Sequence, residues 1–215
     1  MGASTTGPGA APPAALVPIK AFAEAKLRLA PGLDAAERGD LARRMAATVL
    51  AAAEPLPVTV VCDDEEVADW AASHGAQIAW TPGLGLNGAV TAGAAVLAAA
   101  GWSRVVVAHA DLPLARPGSL ARLASLDGEV ILVPDRHDGG TNVAVVPPGA
   151  GFTFSYGAGS FGRHRAEAAR LRLRTAVVRA PELMWDVDLP ADLELPSFVD
   201  VTWPSAIDPT VSPCT

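Results

Sequence analysis

Cysteine is scarce in this chain of 215 residues: Cys62 and Cys214 are the only two. They lie far apart and without the spacing of metal ligands, so neither a zinc-type site nor a disulfide framework is indicated, and a reducing cytoplasm is the expected compartment. Positive charge is also short. The formal net charge of -7 excludes a general binder of nucleic acid or membrane surfaces and leaves room only for a local basic site. No apolar run reaches the length of a membrane span, and the opening "MGASTTGPGAAPPAA" lacks the charged leader and continuous apolar stretch of a signal peptide. A Walker loop is missing too. The hydrolase pattern G-x-S-x-G fails because Ala158 stands at its first glycine.

What is present is a core-sized supply of apolar residues, half of the chain, arranged in alternation. The strand-like runs are "ALVPIK", "PVTVVC", "AQIAW", "RVVVAHA", "EVILVPD", "NVAVVP" and "RTAVVR". Ala-rich helical runs such as "AERGDLARRMAATVLAAA" and "LNGAVTAGAAVLAAAG" separate them. Strands alternating with helices predict right-handed crossovers and a mostly parallel mixed sheet buried on both faces. The expected fold is an α/β, Rossmann-like three-layer sandwich without internal repeat or second domain boundary. Ligands of such sheets sit at the carboxyl ends of the strands. Those ends carry Lys20, then Asp63 and Asp64, then His109 and Asp111, then Asp135, Arg136 and His137, which predicts one shared cleft.

The stretch "ELMWDVDLPADL" runs a strand-like segment into Asp186 and Asp188. In an extended chain residues i and i+2 share a face, about 7 Å apart. Two carboxylates brought to about 4 Å repel by roughly 4 kcal/mol at an effective dielectric near 20, so a cation is expected to join them. Asp111 in "HADLPL", held at the sheet edge before Pro113, is the natural third carboxylate. Three aspartates suit hard divalent ions such as Mg2+, the recurring solution for nucleotidyl transfer. The structural alternative is that Asp111 and Asp188 each cap a following helix.

A second constellation, "SYGAGSFGRHRAEAARLRL", sets glycines and Ser160 before an amphipathic helix whose first turn holds Arg163, His164 and Arg165. Cations there oppose the helix dipole, and a bound anion would resolve the conflict; Ser160 as a plain cap is the alternative. In "VPDRHDGGTNVAV" the paired glycines predict a tight turn that presents Thr141 and Asn142. Lys20, Lys26 and Arg28 follow the first strand, where groups that neutralise a triphosphate sit. Asn87 in "PGLGLNGAV" suits contact with a base or sugar, or an N-cap.

Taken in order, "VPIKAFAEAKLRLAPGLDAAER", "GLNGAV", "HADLPL", "VPDRHDGGTN", "GSFGRH" and "WDVDLPADL" resemble the small guanylyltransferases of deazaflavin coenzyme biosynthesis, the 2-phospho-L-lactate or phosphoenolpyruvate guanylyltransferases. The resemblance runs from about Leu16 to Leu195. It implies a nucleotidyltransferase fold related to the molybdenum cofactor guanylyltransferases, although their glycine-rich signature after the first strand is replaced here by "PIKAFAEAK". It implies transfer of GMP from GTP to the phosphate of a three-carbon phosphoacid, phosphoenolpyruvate being favoured, with release of pyrophosphate and Mg2+ as cofactor, in coenzyme F-420 biosynthesis. Its metal and catalytic aspartates fall on Asp111, Asp186 and Asp188, and its acceptor-binding residues on Thr141, Gly157 and Ser160, with Arg163 beside them. Its nucleotide side falls on Lys20, Lys26 and Asn87. The expected organisation is a disordered tail over 1–15, a nucleotidyltransferase domain over 16–197, and a partly ordered tail over 198–215 where Phe198 and Trp203 pack; a homodimer is allowed for. The competing readings are another nucleotidyltransferase of molybdenum cofactor or sugar-nucleotide type, a glycosyltransferase of the same fold, and a non-catalytic GTP-binding regulator.

Overall fold

Alternate residues of the apolar runs feed two separate cores, which is why the runs are continuous rather than alternating. The computed structural model describes residues 12–194, and the expectations about the tails, Phe198, Trp203 and Cys214 lie outside the described residues. Seven strands form one sheet: β1 (Pro13–Pro18), β2 (Val58–Cys62), β3 (Gln77–Trp80), β4 (Arg104–Ala108), β5 (Val130–Pro134), β6 (Thr141–Val146) and β7 (Thr175–Val177). Their order is β3-β2-β1-β4-β6-β5-β7. Only β6 runs antiparallel to its neighbours, so the sheet is mixed and mostly parallel, as expected. β1 begins at Pro13, three residues ahead of the expected domain start, because Ala14 and Ala15 are already buried between β2 and β4.

Six helices cover the sheet: α1 (Ala35–Ala53), α2 (Glu65–Ser73), α3 (Gly85–Ala99), α4 (Ser119–Ser125), α5 (Ser160–Arg170) and α6 (Pro181–Met184). On one face Ala15, Val17, Val106, Val143 and Val145 pack with residues of α1, α2, α4 and α6. On the other, Leu16, Val105, Val107, Ala144 and Val146 meet α3, α5 and the aromatics Phe152, Phe154 and Tyr156. Among the described residues no helix is long and apolar enough to cross a membrane.

Two local devices place the site. The chain leaves β1 for β2 on one side and returns through α3 to β4 on the other, which opens a crevice at the carboxyl ends of β1 and β4. α3 can settle on the sheet there because Gly93 has no side chain. A Cβ at that position would lie 2.6 Å from Val61 Cγ1 and 2.8 Å from Leu16 Cδ1.

The expected strand before Asp186 does not form. Pro181 opens the short helix α6 instead, and Trp185 to Asp188 follow as extended chain outside the sheet. That segment touches the sheet end through one backbone bond, Val187 N–H to Asp111 O at 3.3 Å.

Candidate active site

A cleft of about 740 Å3 occupies the crevice, a size suited to a small-molecule ligand. Its walls include Pro18 at the end of β1 with Ile19 and Lys20 after it, Cys62 at the end of β2 with Asp63 after it, Gly85, Leu86 and Ala89 of α3, and His109, Asp111, Lys26 and Asp188. The strand ends therefore converge for β1, β2 and β4. They do not for β5. Asp135 accepts backbone N–H bonds from His137, Gly139 and Gly140 at 2.9, 2.9 and 2.6 Å and so closes the β5–β6 hairpin. Asp64 caps α2 by accepting from Val67 N–H.

The cation that joins the carboxylates in the chain itself is an ammonium. Lys26, in a left-handed conformation between two 3-10 turns (φ 52°), donates to Asp111 Oδ2 at 2.6 Å and to Asp188 Oδ1 at 3.0 Å. Arg28 Nη1 stands 3.7 Å from Asp188 Oδ2. Burial alone would raise the Asp111 carboxyl, but Lys26 and then His109 outweigh it and hold it below the ordinary carboxylate range. Burial likewise opposes the Lys26 charge, yet Asp111 and Asp188 lift the ammonium above its ordinary value.

Asp186 behaves differently. Burial and the Asp111 charge raise its carboxyl, against help from its own backbone N–H and from Asn142 Nδ2 at 3.4 Å; Arg136 Nη1 stands 3.8 Å away. The capping roles considered for Asp111 and Asp188 are not seen; the residue that caps is Asp192. Its Oδ2 accepts from the backbone N–H groups of Asp188 and Leu189 at 2.8 and 2.7 Å, and its other oxygen pairs with Arg136. The Arg136 guanidinium also donates to Asp186 O at 2.9 Å and lies over the Trp185 ring at 4.3 Å. Arg136 and Asp192 thus hold the two aspartates in place. Sequence reasoning missed this pair because an aspartate four residues after another reads as a helix residue; the available signal was a charged residue due to be buried, and Asp192 is only 4% exposed.

Among the described residues no group of three carboxylate, His or Cys side chains stands ready-made around one metal position. The donor chemistry nevertheless fits a hard divalent cation. Asp111 Oδ1 is buried without a hydrogen-bond partner, and Asp111, Asp186 and Asp188 supply only oxygen.

A second group lies at the start of α5. Thr141 and Ser160 are almost fully buried, with their hydroxyl oxygens 3.5 Å apart. Gly157 has φ of 110°, which a side chain would strain, and its carbonyl accepts the Ser160 N–H at 2.9 Å. Ser160 is the first helical residue, not the cap, which is Gly159. The crowding of cations in this turn is relieved from inside. Arg163 turns back to the loop, donating to the carbonyls of Ser155 at 2.7 Å and Ala158 at 2.6 Å and to Ser155 Oγ at 2.8 Å. His164 is buried, and burial, then Arg163 and His109, push its imidazole down to about 4. The nucleotide-side residues divide. Lys20 lines the cleft while paired with Glu24 at 2.6 Å, whereas Asn87 holds the Tyr156 backbone, accepting its N–H at 2.6 Å, and lies outside the cleft lining.

Three kinds of relative bear on this geometry. The family profile described as "Guanylyl transferase CofC like" matches residues 14–195. Proteins named phosphoenolpyruvate guanylyltransferase are similar over most of the chain. The one from Sphaerobacter thermophilus is 37% identical over 186 residues, covering 84% of this chain and 90% of its own. The one from Streptomyces coelicolor is 40% identical over 186 residues, covering 83% and 86%. Solved structures share the fold at low identity. A nucleotidyl transferase from Methanothermobacter thermautotroptrophicus superposes with a TM-score of 0.59 at 16% identity, covering 84% of this chain and 94% of that one. The 4-diphosphocytidyl-2C-methyl-D-erythritol synthase from Anaerococcus prevotii gives 0.55 at 9%, covering 86% and 93%.

Proposed function

The chain belongs to the CofC-like guanylyl transferase family, and from that premise we propose that it moves GMP from GTP to the phosphate of phosphoenolpyruvate, releasing pyrophosphate. The observation that carries this reading is the pairing of Asp111 and Asp188 through Lys26 on the wall of the cleft, with Asp186 near enough to Asp111 for that charge to raise its carboxyl. GTP occupies the cleft with its triphosphate towards Lys20, Lys26 and Arg28. The acceptor lies against Thr141, Gly157 and Ser160.

Asp111, Asp186 and Asp188 would hold Mg2+, which when bound neutralises charge on the reacting phosphates. The chain's own residues then have three tasks. Lys26, released from the carboxylates, offers its ammonium to the triphosphate. Arg136 and Asp192 keep Asp186 and Asp188 from turning away. Thr141 and Ser160 orient the acceptor so that its phosphate oxygen approaches the alpha phosphorus of GTP in line with the departing pyrophosphate. One P–O bond forms as the bond to the beta phosphate breaks. No protein nucleophile is required; Cys62, which lines the cleft, has its thiol raised by burial and stays protonated. This reading places the protein in the cytoplasm, where GTP is made.

Pyrophosphate release with GTP and Mg2+ is the test, run with phosphoenolpyruvate, with 2-phospho-L-lactate and with no acceptor. Release dependent on phosphoenolpyruvate is expected. Release that prefers 2-phospho-L-lactate would reassign the acceptor, and GTP binding without release in any arm would overturn the transferase reading.

A further inference from the structure

His164 is fully buried on α5, and both of its ring nitrogens are engaged. The backbone N–H of Ser155 lies 2.9 Å from Nε2, and a backbone amide can only donate, so Nε2 must carry a lone pair. In the neutral ring the proton then sits on Nδ1. Nδ1 is 3.0 Å from Thr141 Oγ1, which accepts it. Ser160 Oγ stands 3.5 Å from the same oxygen. Two hydroxyl hydrogens share that single contact, so one hydrogen of the pair has no acceptor among the described residues, whichever way the contact runs. Burial keeps the ring neutral, as its depressed value of about 4 indicates.

We propose that His164 is a positioning residue: by donating from Nδ1 to Thr141 it makes the Thr141–Ser160 pair a net hydrogen-bond donor, suited to an anionic oxygen of the acceptor. The inference rests on the reading of Thr141 and Ser160 as acceptor contacts. With the opposite tautomer, Nδ1 would accept the Thr141 hydrogen, and the pair would have no hydrogen to offer as long as Ser160 keeps its contact with Thr141. An ionised phosphate or carboxylate would then be held less well, while the GTP side would be untouched. Sequence reading took His164 only as one more cation at the helix start.

The test needs two readouts. In the wild-type protein, 15N NMR of the His164 imidazole is expected to show the Nδ1–H tautomer at neutral pH; the Nε2–H tautomer would overturn the proposal without any variant. In steady-state kinetics with GTP and Mg2+, His164→Gln keeps an acceptor near Ser155 but loses the donor to Thr141, and His164→Asn does the reverse. His164→Gln and Thr141→Val are each expected to raise KM for phosphoenolpyruvate about tenfold or more, with the Kd for GTP unchanged. The double variant should be no worse than the worse single one, and His164→Asn should stay within about threefold of wild type. Harm from His164→Asn equal to that from His164→Gln, or additive effects in the double variant, would overturn the proposal in favour of plain loop support through Ser155. A neutral Thr141→Val would overturn it for a different reason, by removing the acceptor-site reading beneath it.

Discussion

At Lys26 one ammonium compensates two carboxylates, with its own side chain only 12% exposed and that of Asp111 19%. Removing one partner of such a pair leaves an uncompensated buried charge. Lys26→Met should therefore lower the metal-free stability by about 3 kcal/mol in urea denaturation, and Mg2+ should restore part of the loss by taking over the carboxylates. An equal deficit with and without Mg2+ would remove Asp111 and Asp188 from the metal role. Asp186 carries the opposite sign. Its carboxyl is raised on folding by burial and by Asp111, so its contribution is present below the unfolded value and is lost as pH climbs through the folded one. Near neutral pH its charge is thus a cost to the fold. Asp186→Asn should unfold at the same or a higher temperature without metal while losing turnover by about 100-fold or more; retained turnover would show that Asp186 holds no reacting group. The residue types of this site were readable as a carboxylate trio. Lys26 as their internal partner was not, because it lies 85 residues before Asp111 and 162 before Asp188 in the chain.

Helices and loops meet the sheet through contacts whose tightness the residue pattern only hints at. α3 reads as a good helix rich in alanine, and by propensity alone Gly93→Ala should gain about 1 kcal/mol. Its closeness to Val61 and Leu16 reverses that sign. We expect Gly93→Ala to destabilise by about 1–3 kcal/mol in chemical denaturation, and a more stable variant would mean that α3 sits further from the sheet than the packing of β1 and β2 requires. The hairpin between β5 and β6 was legible from its glycines. The loop from Phe152 to Gly159 was not: it is held by Asn87 from α3 and by Arg163 and His164 from α5, two of which read as ligand contacts in the sequence. The loop buries its aromatic side chains while its backbone groups take partners from wherever the fold brings polar side chains.

Over the whole molecule the response to acid follows from groups whose protonation changes on folding. Asp111 and Asp192 sit below their ordinary values: burial opposes this in both, Lys26 outweighs it for Asp111, and the backbone N–H groups of Leu189 and Asp188 do so for Asp192. Their stabilisation is present above the unfolded carboxylate value and fades as pH falls through the folded one. His164 acts earlier. With its folded value near 4 and its unfolded value at 6.5, the unfolded chain binds more protons between these limits, so stability should decline as pH falls from 6.5 towards 4. Urea midpoints measured across that range should drift downwards before the carboxylate-driven collapse. The drift should be smaller in His164→Gln than in the wild type; an equal drift in both would show that His164 accepts a proton in place.

The sequence by itself determined the strand and helix alternation, the mixed sheet buried on both faces, the crevice at its carboxyl ends and the identity of the candidate carboxylates. These depend on local periodicity and on charge set at strand ends, which the chain carries residue by residue. Only the tertiary structure decided which polar groups are left over for a ligand. Asp188 and Asp192 are both aspartates four residues apart, yet one faces Lys26 and the other fastens the backbone beneath it. Arg163 and Asn87 satisfy carbonyl and amide groups of the loop before α5, while Thr141 and Ser160 keep a hydrogen unmatched among the described residues. Hydrogen-bond satisfaction is a count over all partners brought together by folding, and no stretch of sequence contains that count.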